Sequence, residues 1–95
     1  MKHMILAKFK SDVTDKASLI ESIEKLFSVA AEISGVHGAA VYPCCVHRDN
    51  RYDVMIVLDM EQTALPLYDE SEMHHAWKRE YGPLLEKMAI FDCNM

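Results

Sequence analysis

Three residues of this chain combine side chains that can move protons: His3, Tyr68 and His74. An imidazole titrates near pH ~6.5 and a phenol near ~10, so the set can take a proton from a carbon acid and hold the resulting oxyanion. His74 is the candidate base, Tyr68 the oxygen-stabilising donor and His3 a supporting partner. Each also has a plainer role. A single histidine on an apolar face is more often a hydrogen-bonded core residue than a catalyst.

Other constellations carry less. His74 and His75 are neighbours, and adjacent helical residues point about 100° apart, so they do not converge on one ion. The spacing His-Glu-x-x-His is absent, as is any Cys-x-x-Cys. No metal site and no cofactor are therefore expected. The three cysteines, Cys44, Cys45 and Cys93, are an odd number and suit no disulfide framework. Without an export signal at the N-terminus, reduced thiols and a cytoplasmic location are the expectation.

The elements that must position these residues can be read from periodicity. Residues 2–10 alternate with period two, His3, Ile5, Ala7 and Phe9 on one face and Met4, Leu6, Lys8 and Lys10 on the other. Thr14 can cap a helix starting at Asp15, whose apolar stripe is Leu19, Ile23, Leu26, Phe27 and Ala30, with Gly35 as a left-handed stop. A second strand is expected from Val36 to His47, on a sheet edge or bulged because Pro43 cannot donate to a ladder. A third runs from Tyr52 to Met60. A short helix begins near Thr63 with Pro66 in its first turn, and Ser71 caps another helical piece carrying Met73, Trp77 and Tyr81. Gly82-Pro83 interrupts it, and Met88 to Cys93 closes the chain as a strand. The order β-α-β-β-α-β is that of a split βαβ, α+β, ferredoxin-like arrangement.

Composition bounds the rest. Ninety-five residues make one domain, 1–95, and 51% hydrophobic residues are many for so thin an interior, which favours burial against a second copy. The bare sheet face offers Met4, Leu6, Met55 and Val57 for that contact. Fifteen acidic residues against ten Lys+Arg argue against nucleic acid or an anionic membrane as the main partner.

These segments also carry a resemblance. Lys2 to Lys10 resembles the opening "KHIVLFKFK" of the stress-responsive dimeric α/β-barrel (Dabb) family. Ile33-Ser34-Gly35-Val36 is similar to its helix-to-strand junction, Arg51 to Met60 to its third strand, and Tyr68 with His74 to its "Y…HP.H" segment. The resemblance implies a ferredoxin-like protomer pairing into a dimeric α/β barrel. One plant member, olivetolic acid cyclase, closes a linear polyketide by aldol condensation with residues to which His74, Tyr68 and His3 correspond by position. Here the acidic run Asp69 to Glu72 replaces the family's apolar-His-Pro approach, and the first helix lacks that cyclase's tyrosine. Wider relatives include cofactor-free monooxygenases and haem-degrading enzymes. The expectation is a homodimer whose protomers each hold a small-molecule pocket walled by Ile5, Ala7, Phe27, Ile56 and Trp77. Cofactor-free acid/base work on a carbonyl compound leads. A non-catalytic stress-associated dimer and a cofactor-independent monooxygenase are the alternatives.

Overall fold

A computed structural model describes all residues, 1–95. Four antiparallel strands, β1 (Lys2–Phe9), β2 (Val36–Pro43), β3 (Val54–Met60) and β4 (Leu85–Cys93), form one sheet in the order β2-β3-β1-β4. Helices α1 (Lys16–Phe27), α2 (Leu65–Glu70) and α3 (Glu72–Tyr81) cover one face, which gives the α+β, ferredoxin-like architecture.

The alternation in β1 and β3 sets the layers. His3, Ile5, Ala7 and Phe9, with Val54, Ile56 and Leu58, are buried under the helices. Ile23 and Phe27 of α1 and Met73, Trp77 and Tyr81 of α3 complete the core from the helical side. Each large apolar side chain buried there contributes roughly 1.5–3 kcal/mol. Trp77 meets Phe27 edge-on at 5.6 Å and stacks on Tyr81 at 5.4 Å.

Several boundaries differ from the sequence reading, each for a local reason. Asp15, not Thr14, caps α1, because its carboxylate accepts from the Ser18 N–H at 3.1 Å; the helix therefore starts at Lys16. Gly35 does not stop that helix, which ends at Phe27 and is followed by a 3₁₀ turn at Ala30–Glu32. It lies further on, at φ +83°, where a Cβ would stand 2.8 Å from the Ala64 Cβ. The chain needs glycine there for both conformation and clearance. β2 is an edge strand as Pro43 requires, but it ends at that residue instead of His47. Cys44 and Cys45 thus lie beyond the strand. β3 starts at Val54, leaving Tyr52 outside the ladder under the Lys87 ammonium, 5.2 Å from its ring centre. β4 starts early, at Leu85, directly after the Gly82–Leu84 turn.

The sheet's other face is uncovered. Register places Ala40, Val57, Met4 and Phe91 in one row across the four strands, and Tyr42, Met55, Leu6 and Ala89 in the next. Phe91 is 63% exposed. Charged residues bound these rows, Lys2 with Asp59 at one end and Lys8 with Lys87 at the other. No helix is long and apolar enough to cross a membrane.

Candidate functional site

Three elements bring His3, Tyr68 and His74 together. His3 comes from the start of β1, on the helix-facing side, and is 4% exposed. Tyr68 lies in α2, where Pro66 sits in the first turn and lacks the N–H that a first turn leaves unpaired anyway. A break at Ser71 then redirects the chain: the Ser71 hydroxyl oxygen accepts from the His74 N–H at 3.1 Å and starts α3. His74 is thereby turned back over Tyr68. The Tyr68 ring centre stands 5.3 Å from that of His3 and 4.7 Å from that of His74, so the phenol lies between two imidazoles. His75 points away, exposed, its ring 6.4 Å from that of His74.

The hydrogen bonds decide which nitrogen of each imidazole is basic. His74 Nδ1 lies 2.9 Å from the Asp69 carbonyl oxygen, which can only accept, so Nδ1 carries the proton and Nε2 the lone pair. His3 Nδ1 lies 2.5 Å from Asp92 Oδ1, and a carboxylate imposes the same tautomer. Neither Nε2 has a protein partner. The sequence reading missed Asp92. Its role follows from pairing: β4 runs beside β1 with Asp92 opposite His3, and residues opposite each other share a face.

Tyr68 is the chemical centre of the group. Its side chain is 1% exposed, and its hydroxyl is the only buried side-chain polar atom without a hydrogen-bond partner. Burial, reinforced by the charge of Asp69, pushes the phenol well above its ordinary value of 10.0. The group stays protonated through neutral and mildly alkaline pH and is available as a donor.

The expected pocket walls are placed differently. Ile5, Ala7, Phe27, Ile56 and Trp77 are all buried in the core and packed together. None of them, nor any of the three proton-moving residues, borders the five main depressions of the surface. Between sheet and helices, Trp77 packs against both Phe27 and Tyr81. At the edge of the ring triad His74 is half-buried and Asp92 is exposed. Met88 and Ile90 continue from Asp92 along the same side of β4 and are 45% and 52% exposed. No group of three or more His, Cys, Asp or Glu residues is placed to hold a metal ion.

A family model described as the stress responsive A/B barrel domain (Dabb) matches residues 1–95. The chain belongs to the Dabb family. Among solved structures, this Dabb chain is similar to a dimeric ferredoxin-like protein of unknown function from Bacteroides fragilis, with a TM-score of 0.82 and 18% identity over 99% of this chain and 94% of that one. It is also similar to a dimeric ferredoxin-like protein of unknown function from Thermobifida fusca, with a TM-score of 0.81 and 20% identity over 99% and 89%. A hydroxynitrile lyase from Passiflora edulis matches with a TM-score of 0.71 and 10% identity over 95% and 87%. At these identities the Dabb chain shares the fold with each of them. No curated protein matches its sequence significantly.

Proposed function

We propose that the protein is a homodimer in which each protomer carries a cofactor-free acid/base site for a small carbonyl compound. The observation that carries this reading is the buried, unpartnered hydroxyl of Tyr68, whose ring packs against two imidazoles with unpartnered Nε2 atoms. An unpaired buried hydroxyl costs about 1–3 kcal/mol, a penalty relieved when a ligand oxygen accepts from it. His74, the more accessible imidazole, takes a proton from the carbon next to the carbonyl. Tyr68 donates to the oxygen as negative charge builds on it. His3, held by Asp92, fixes the polarity of the inner wall. The exposed Met88 and Ile90 side chains offer a shelf for the apolar part of the ligand.

The dimer reading rests on the two apolar rows of the uncovered sheet face and on the dimeric state of the Bacteroides and Thermobifida proteins. Packing two such faces would hide side chains that a monomer leaves wet. The likeness to a hydroxynitrile lyase supports the capacity of this architecture to host lyase chemistry.

Deuterium uptake tests the chemistry directly. The protein is incubated in D2O with acetophenone and a panel of alkyl methyl ketones, and NMR follows exchange at the carbon beside the carbonyl. Exchange above buffer is expected, falling about 10²-fold or more in His74→Ala with the fold intact by circular dichroism. Absence of exchange across the panel, or full exchange in His74→Ala, overturns the acid/base reading and leaves a non-catalytic dimer.

A further inference from the structure

The end of the sheet opposite His3 concentrates positive charge in a chain that is acidic overall, with ten Lys+Arg against fifteen Asp+Glu. The loop between β2 and β3 carries part of it. Arg48-Asp49-Asn50-Arg51 is a tight turn, closed where the Arg51 N–H donates to the Arg48 carbonyl oxygen at 3.1 Å. Such a turn brings its first and last Cα atoms within about 7 Å, so the two arginine side chains start from neighbouring points. Other residues tether the loop. Lys8 donates to the Asp49 carbonyl oxygen. Asp53 accepts from the Phe9 N–H at 2.8 Å and from the Lys16 ammonium at 3.2 Å, which ties the loop to β1 and to the start of α1. A turn held in this way loses less freedom when a ligand arrives.

The guanidinium groups take no part in that tethering. Arg51 reaches only the side-chain oxygen of its neighbour Asn50, at 2.7 Å, and Arg48 makes no ion pair. A hollow of about 240 Å³ lies here, and Lys8, Lys16, Arg48, Arg51, Asp49 and Asp53 supply its charged lining. Four cations against two carboxylates leave two positive charges in excess, and His47 on the same wall adds a third when protonated. Just outside, Glu86 lies 3.8 Å from Lys8 and the Lys87 ammonium stands over the Tyr52 ring, so those two charges cancel. A carboxylate brings one negative charge, a phosphate monoester close to two. Arginine forks bind phosphate oxygens in pairs.

We propose that this hollow binds a small phosphomonoester, its dianionic phosphate held by Arg48 and Arg51, with Lys8 and Lys16 supplying the surrounding positive charge. The lining comes from the end of β1, the β2–β3 loop and the first residue of α1, all at one end of the sheet. None of it belongs to the two apolar rows of the uncovered sheet face, so the site does not compete with packing of one such face on another. The ring triad is elsewhere: Lys8 and His3 are five residues apart on β1, about 16 Å at strand rise. The site is formed within one protomer and stands independently of the acid/base reading.

Methyl phosphate, a dianion at pH ~8, is titrated into the full chain and followed by amide NMR, with the monoanion dimethyl phosphate as the comparison. Methyl phosphate should saturably shift the Lys16, Arg48, Arg51 and Asp53 resonances, with affinity at least about tenfold above that of dimethyl phosphate. Added salt should weaken binding. Arg48→Gln/Arg51→Gln should lower affinity by about tenfold or more while the amide spectrum outside the loop is unchanged. His74→Ala should bind as the wild type does, and the sedimentation profile should not move with ligand. Shifts that fail to saturate, or equal affinity for the monoanion, mark an unselective basic surface and overturn the proposal without recourse to any variant. Unchanged affinity in the double variant also overturns it. So does loss of binding in His74→Ala, which would place the ligand at the ring triad, and so does dissociation of the dimer on adding methyl phosphate, which would place it between copies.

Discussion

Replacing Tyr68 by Phe should raise stability while removing the proposed activity, and the two signs together make it an informative perturbation. The substitution deletes one oxygen that is buried and has no partner, and keeps the ring between His3 and His74. The desolvation penalty of such a group is about 1–3 kcal/mol. Loss of the oxygen's packing contacts offsets part of this, leaving a gain of about 1–2 kcal/mol. For a domain of this size each kcal/mol is worth about 4–8 °C in Tm, read at fixed protomer concentration.

The pH dependence provides a second check. In the folded chain the phenol is held above its ordinary value of 10.0. In the unfolded chain it ionises near that value. Below pH ~10 both states keep the proton, and the native state is undiminished by this group. Above it the unfolded state loses its proton first, so native stability falls as pH rises, by about 1.4 kcal/mol per pH unit. The gain from Tyr68→Phe should therefore widen with that slope above pH ~10, measured as the difference between wild-type and variant urea midpoints. A variant destabilised by more than about 1 kcal/mol at neutral pH, or a difference flat across pH ~10, would mean that the hydroxyl is satisfied in the folded protein. The argument for a ligand-seeking donor would then fail.

Other substitutions probe the frame around the site. Gly35→Ala should destabilise by about 2–4 kcal/mol, combining a left-handed backbone with a Cβ 2.8 Å from the Ala64 Cβ; chemical denaturation reads it, and a loss below about 1 kcal/mol would refute the clash. Ser71→Ala should cost about 1 kcal/mol by uncapping α3, and it should broaden the His74 imidazole signals in NMR spectra because that cap fixes the turn over Tyr68. Phe91→Asp, at an exposed position, should leave the protomer folded and weaken dimerisation about 100-fold or more by placing a charge in the apolar row; an unchanged sedimentation profile would move the interface elsewhere.

Alternation and capping made much of the fold legible. In β1 and β3 strict period two identified the buried face, Ser71 and Pro66 each marked a helix start that the structure keeps, and Pro43 marked β2 as the edge strand it is. What sequence reasoning misplaced was set by tertiary contact. Gly35 looked like a helix stop because its left-handed preference is local, whereas its use, a close pass against Ala64, depends on a segment almost thirty residues away. The residues expected as pocket walls lie in the core, and apolar pattern alone does not distinguish a wall from a filled interior. That distinction is made by how Trp77, Phe27 and Tyr81 interlock.

Asp92 shows the same limit from the side of chemistry. In the sequence it is an acidic residue eighty-nine positions from His3, with nothing to distinguish it from fourteen other carboxylates. Register supplies the link, because β4 pairs antiparallel with β1 and a shift of one residue would turn Asp92 to the opposite face. The register is itself fixed by apolar residues: Met4 with Phe91 and Leu6 with Ala89 share the outer face, while Ile5 pairs with Ile90 toward the helices. The tautomer of His3, whose ring packs against Tyr68, thus depends on side chains on other positions of the sheet. A change that slips β4 by one residue would remove the carboxylate from His3 and carry Phe91 off the sheet's open face, so the proposed proton-transfer site and the proposed dimer surface would be lost together.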